Sequence, residues 1–169
     1  LGTSVGFLYE AQVWVSSVEP MVGLLSGGTL LKVRGGGFTP SPRVLVRIGS
    51  RMAVAARGLS STGLEVTTPA REQPSMLAVE VSLNEIDFSA DEVLFEYQPY
   101  AHLAELWPAK GPSGGGTFVN VGGSGFSRRS AALGYMLVRF NMSKVPVSWV
   151  SAWEVHCVAP PHPSGLVGV

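Results

Sequence analysis

The stretch Ser26–Phe38, SGGTLLKVRGGGF, comes back later in the chain as Gly114–Phe126, GGGTFVNVGGSGF. Gly28 thus corresponds to Gly116, an offset of 88 residues, and the same offset relates residues on either side of the phrase. Val5, Phe7 and Tyr9 map onto Val93, Phe95 and Tyr97; Pro20 and Gly23 map onto Pro108 and Gly111. Beyond Phe38 the offset becomes 92, where VLVRIG (Val44–Gly49) answers MLVRFN (Met136–Asn141), so the second copy carries four extra residues in one loop. Self-similarity at a fixed period marks a tandem array. The copies run over 11–98 and 99–169, the second incomplete at its C-terminal side, and residues 1–10 read as the last strand of a preceding copy.

Within each copy, short runs that alternate apolar and polar residues are separated by Gly, Pro, Ser and Thr, as in Val44, Val46 and Ile48 against Leu45 and Arg47. Side chains on a strand point alternately to opposite faces, so this period implies half-buried strands, and many short ones imply an all-β sandwich. The expected strands are 13–18, 29–33, 43–48, 64–67, 76–83 and 93–97, then 101–106, 117–121, 135–141, 145–150, 153–157 and 166 onward. No stretch shows a sustained helical period with caps. The glycine phrase has a mechanical role in this frame. Gly27 and Gly28 turn the chain into a strand, Gly35 and Gly37 supply backbone angles closed to other residues, and Phe38 and Phe126 plug the end of the sandwich. A phosphate loop is excluded, because no Lys-Ser/Thr follows the last glycine and a strand rather than a helix comes next.

The 169 residues include 12 basic and 12 acidic side chains, 14% charged in all. A neutral chain of this kind lacks the field that draws in nucleic acid or an anionic membrane. No apolar run reaches the ~18 residues of a membrane span. The chain opens with Leu1 and shows no leader pattern, and it reads as an excerpt of a longer protein. Its one cysteine, Cys157, excludes an internal disulfide.

Taken together, V-x-P-x-x-G-x-x-x-GGT-x-x-x-V-x-G-x-GF, a strand ending VTTP or CVAP, and a closing F-x-Y resemble the IPT/TIG domain. The residues that carry the resemblance are Pro20, Gly27, Gly28, Thr29, Gly35, Gly37, Phe38, Pro69, Phe95 and Tyr97, and in the second copy Pro108, Gly115, Gly116, Thr117, Gly123, Gly125, Phe126, Cys157 and Pro160. The resemblance implies tandem immunoglobulin-like (E-set) β-sandwiches of the kind found in plexin- and Met-type receptors, in some transcription factors and in multi-repeat surface proteins. Receptor versions often pair cysteines; here Val66 stands at the counterpart of Cys157.

Few side chains suggest chemistry. On a strand His156 and Cys157 face opposite ways, so with His162 they do not assemble a metal site; the reading is a buried structural thiol beside an exposed histidine. Asn84, Glu85, Asp87, Asp91 and Glu92 match no calcium loop and read as a solvated acidic turn. No nucleophile elbow is present, and no cofactor, metal or catalytic centre is expected. Trp149 and Trp153 share inward parity with Val145, Val147 and Val155 and are expected in the core. Trp107 maps onto Glu19, a position that accepts charge, and is therefore the candidate for contact with a neighbouring repeat or another chain. Asn141-Met142-Ser143 is an N-glycosylation sequon at a strand end, and Asn141 is expected to reach solvent with nothing in the fold requiring asparagine there.

The expectation for function is a non-catalytic structural and interaction segment of a large repeat-built cell-surface or extracellular protein. Its partners would be neighbouring repeats, other proteins and an N-linked glycan, with neither nucleic acid nor a membrane span in this segment. A dimerisation module of a transcription factor and an accessory β domain of a carbohydrate-active enzyme are the alternatives.

Overall fold

The computed structural model describes residues 6, 9, 12–39, 44–50 and 53–169. They divide into two compact units, Leu1–Gln98 and Pro99–Val169. The strand expected in residues 1–10 lies outside the described residues, apart from Gly6 and Tyr9.

The first unit contains β1 (Trp14–Glu19), β2 (Val22–Leu24), β3 (Leu30–Gly36), β4 (Leu45–Ile48), β5 (Ala53–Ala55), β6 (Arg57–Ser60), β7 (Gly63–Thr67), β8 (Ser75–Ser82) and β9 (Leu94–Gln98). Two sheets form, ordered β1-β3-β7-β6 and β2-β9-β8-β4-β5. All pairs are antiparallel except β2–β9, in which Val22, Gly23 and Leu24 run parallel to Glu96, Tyr97 and Gln98. The chain changes sheet at Pro20, which cannot donate to a ladder. The inward rows of both sheets make one core: Val15, Val18, Leu31, Val33, Leu64 and Val66 from one; Val46, Ile48, Val79, Val81, Phe95 and Tyr97 from the other. Phe95 and Tyr97 of the F-x-Y element are both fully buried and meet edge to face, with ring centres 5.0 Å apart.

The second unit repeats this plan with β10 (His102–Trp107), β11 (Phe118–Ser124), helix α1 (Arg128–Ala132), β12 (Leu137–Phe140), β13 (Ser143–Pro146), β14 (Ser148–Ser151) and β15 (Glu154–Val158). Its sheets are β10-β11-β15-β14 and the hairpin β12-β13. The core joins Val119, Val121, Val155 and Cys157 to Val138, Phe140 and Phe126. The four inserted residues fall where α1 forms. Ser127 caps that single turn by accepting from the Ser130 N–H at 3.2 Å, and a five-residue helix is too short to leave a period in the sequence.

Several expectations change in detail. Residues 145–150, read as one strand, form two. β13 pairs with β12 and β14 with β15, so the chain crosses between sheets at Val147, as it does at Ala56 between β5 and β6 in the first unit. No strand is assigned from 166 onward, although the Gly168 carbonyl accepts from the Asn141 N–H at 2.8 Å, just as the Ala78 carbonyl accepts from Gly49.

The glycine phrase divides into two mechanisms. Gly27, Gly28 and Gly37 have φ of 71°, 77° and 74°, the region that favours glycine. Gly35 does not; it is glycine for want of room. A bulge in β1 between Val15 and Ser17 swings the Trp14 carbonyl onto Gly35, and a Cβ there would overlap that oxygen and lie 2.9 Å from Phe38 Cζ. Gly123 is held in the same way under His102 and Phe126.

Candidate interaction surface

The two units differ in side-chain character on the solvent face of the β1–β3–β7 and β10–β11–β15 sheets. Register places Glu19, Lys32 and Glu65 side by side across the first unit. This row alternates in sign and favours water. The equivalent row in the second unit is Trp107, Asn120 and His156, continued by Ser148 on β14. Trp107 is 72% exposed. Beside this row, Phe118 pairs with Val158, both more than half exposed. The Phe118 ring meets His156 edge-on at 4.9 Å, while His156 Nε2 lies 2.8 Å from Glu154 Oε1. His156 is therefore half-buried in a small cluster rather than freely exposed. Aromatic groups standing on a rigid sheet lose little entropy on contact, and such residues dominate binding energies at interfaces.

Trp149 is half-buried against the core and its Nε1 donates to the Phe126 carbonyl at 2.9 Å. Trp153 departs from its expected place: it is 68% exposed. It sits in the turn between β14 and β15, and a bulge between Trp149 and Ser151 breaks the alternation that assigned it inward. Cys157 is buried and free, and burial raises its thiol pKa above the ordinary value. Among the described residues no three His, Cys, Asp or Glu side chains are grouped to hold a metal ion.

The acidic turn is internally engaged. Asn84 Oδ1 accepts from the Ile86 and Asp87 N–H groups at 3.0 and 2.8 Å, and Asn84 Nδ2 donates to Asp87 Oδ2 at 2.8 Å. Asp91 Oδ2 accepts from the Val15 N–H, 2.6 Å away, at the β1 bulge. Sequence reasoning missed that structural role.

Asn141 is exposed, in the two-residue turn between β12 and β13. Contrary to expectation, the fold does constrain it: φ is 52°, and its counterpart Gly49 has φ of 72°. Asparagine and glycine are the residues that tolerate this left-handed conformation best. The Gly49–Asn141 correspondence was the available signal for it.

These sandwiches define a class of immunoglobulin-like modules, and comparison with known proteins names it. The IPT/TIG domain model matches residues 14–97 and 102–169, and the chain belongs to that family. It is 30% identical to human (Homo sapiens) fibrocystin-L over 135 residues, which is 76% of this chain and 3% of that protein. It is 28% identical to plexin-2 of Caenorhabditis briggsae over 127 residues, 75% of this chain and 7% of that one. The fold is similar to part of the plexin A4 extracellular region, with a TM-score of 0.50 at 19% identity, covering 93% of this chain and 13% of that one. The chain therefore spans only a small fraction of these relatives. They place it among extracellular and cell-surface proteins, in a family of non-catalytic immunoglobulin-like domains.

Proposed function

We propose that this segment is a structural and interaction stretch of a large repeat-built cell-surface or extracellular protein, in which one repeat serves as scaffold and the next presents a contact face. The observation that carries this reading is the exchange of Glu19–Lys32–Glu65 for Trp107–Asn120–His156 at equivalent, solvent-facing positions. A sheet needs no Trp and His at these positions of its wet face for stability, and its neighbour carries charged side chains there. In this reading the repeats meet near residue 99, residues 1–10 close the preceding repeat, and Asn141 carries an N-linked glycan on the hairpin turn, away from the Trp107 row in sequence and sheet.

Adhesion of coated beads tests the role. Beads bearing the segment are expected to bind cells of its source, and Trp107→Glu, which installs the first unit's residue, to weaken binding about tenfold, as removal of an aromatic anchor does. Equal binding by the two versions, or none by either, refutes it. For Asn141, a mass loss on N-glycosidase treatment of protein secreted by eukaryotic cells is the expected result; an unchanged mass refutes the glycan.

A further inference from the structure

Pro99–Val169 contains two acidic residues, Glu105 and Glu154, against five basic ones, Lys110, Arg128, Arg129, Arg139 and Lys144. Both acids stand on the sheet that carries Trp107, and none of the bases does: strands β10, β11, β15 and β14 have no lysine or arginine. Register sets Glu105, Gly122 and Glu154 side by side, continued by Ser151. This row lies on the same face as Trp107, Asn120 and His156, two residues along each strand. The equivalent row in the first unit is Ser17, Arg34 and Gly63. Where the first unit has one arginine, the second has a glycine between two carboxylates. Like charges on one row add nothing to the stability of a sheet, so the fold does not call for them. A Cβ at Gly122 would lie 2.7 Å from Glu105 Cγ and 2.9 Å from its Oε1, so the Glu105 side chain reaches over β11 toward the strand of Glu154. His156 Nε2, 2.8 Å from Glu154 Oε1, steadies that second carboxylate. Among the described residues the Glu105 side chain has no hydrogen-bond or ion-pair partner, and that of Glu154 has His156 alone.

We infer that this face binds a basic protein partner, with an arginine side chain of that partner lying flat on the Trp107 ring and its guanidinium donating to the Glu105 carboxylate. This rests on the contact-face reading above and gives that face the chemistry of its partner. A guanidinium is planar and weakly hydrated, so it stacks on an indole while its edge N–H groups bond a carboxylate. Trp107 and Glu105 are alternate residues of one strand, about 7 Å apart along it, within the span of one arginine head group. Glu154, across Gly122, adds to the negative potential, and no cation on the four strands opposes it. Phe118 and Val158, exposed on the other side of the Trp107 row, offer apolar ground to the methylene stems of neighbouring basic side chains. An acidic partner would meet two carboxylates instead.

Two-dimensional NMR of the 169-residue chain titrated with pentaarginine reads this residue by residue, and the spectrum itself shows each variant to be folded. Shifts are expected at the Trp107 Nε1–H, Gly122 and His156, and binding should weaken as salt is raised. Pentalysine is expected to bind the same face less tightly. Trp107→Leu, which keeps an apolar residue and loses the ring, should weaken pentaarginine about fivefold. Glu105→Gln together with Glu154→Gln should weaken it about threefold. The exposed ion pair is the weaker half of the contact, so the carboxylate that Trp107→Glu adds does not replace the ring. No shift on this face, shifts centred on the acidic turn at residues 84–92, or a response to maltopentaose in place of pentaarginine overturns the inference. Bead adhesion keeps the two readings apart. Adhesion that falls with Trp107→Glu but ignores both salt and the paired glutamine changes retains the contact face and overturns the basic partner.

Discussion

Replacing Gly35 by alanine puts a methyl group where the Trp14 carbonyl oxygen stands, with Phe38 Cζ 2.9 Å away on the other side. The obstacle is backbone, held by the β1 bulge and the β1–β3 ladder, so no rotamer change relieves it. Overpacking of a well-packed site costs about 1–3 kcal/mol, and a backbone obstacle belongs at the upper end of that range. For a unit of this size each kcal/mol lowers the melting temperature by about 4–8 °C, so a loss of about 12–24 °C is expected. Gly28→Ala provides the comparison. No atom lies within 4 Å of its Cβ position but φ is 77°, so its cost is the left-handed penalty alone, about 1–2 kcal/mol. Gly123→Ala, under the His102 carbonyl and 2.8 Å from Phe126 Cζ, repeats the experiment in the other unit. Thermal melts, with peptide-resolved hydrogen exchange to assign each transition to its unit, make the measurement. Melting of Gly35→Ala within about 3 °C of the parent, or no worse than Gly28→Ala, would show that close approach is not what keeps glycine there.

Truncating Phe95 to alanine opens the centre of the first core and is expected to cost about 3–5 kcal/mol, read as a shift in that unit's urea midpoint. Asn141→Gly should be near neutral, whereas Asn141→Val should cost about 1–2 kcal/mol because a β-branched residue resists a φ of 52°; similar melts for both variants would contradict this. Because burial raises the Cys157 pKa, the unfolded thiol ionises first as pH rises. Its contribution is present below the ordinary thiol range and lost above it. Stability of the second unit should therefore fall between neutral pH and about pH 10, and Cys157→Val, the first unit's residue, should flatten that slope in denaturant titrations. Trp153 should be quenched readily by iodide and Trp149 poorly, as Trp153→Phe and Trp149→Phe variants will separate.

The repeat made most of the fold legible. Two copies aligned at a fixed offset separate positions that keep their apolar character, such as Leu31 and Val119, from positions that do not, such as Glu19 and Trp107; that contrast predicted the exposure of Trp107. Parity reasoning then failed where the ladder slips. The bulge before Ser151 sends Trp153 outward, and the crossing at Val147 splits the run read as one strand over 145–150 between two sheets, while β5 and β6 formed where no strand was expected. The sequence could not show that the Asn84 and Asp91 side chains accept from backbone N–H groups, because those partners are brought together only by the folded loop and, for Asp91, by a strand 76 residues away. The aromatic row emerged only with register, which joins Trp107, Asn120 and His156 from three separate parts of the chain.

The parallel pairing of β2 with β9 has a mechanical consequence. β2 lies near the start of the first unit and β9 at its end, so tension entering along the chain pulls the two strands past each other along their own length. The bonds between them, Glu96 N–H to the Met21 carbonyl at 3.0 Å and Leu25 N–H to the Gln98 carbonyl at 2.9 Å, are then loaded together in shear, not peeled one after another like the rungs of an antiparallel hairpin. A unit clasped in this way resists stretching until the whole clasp gives, and until then shields the core behind it from the load.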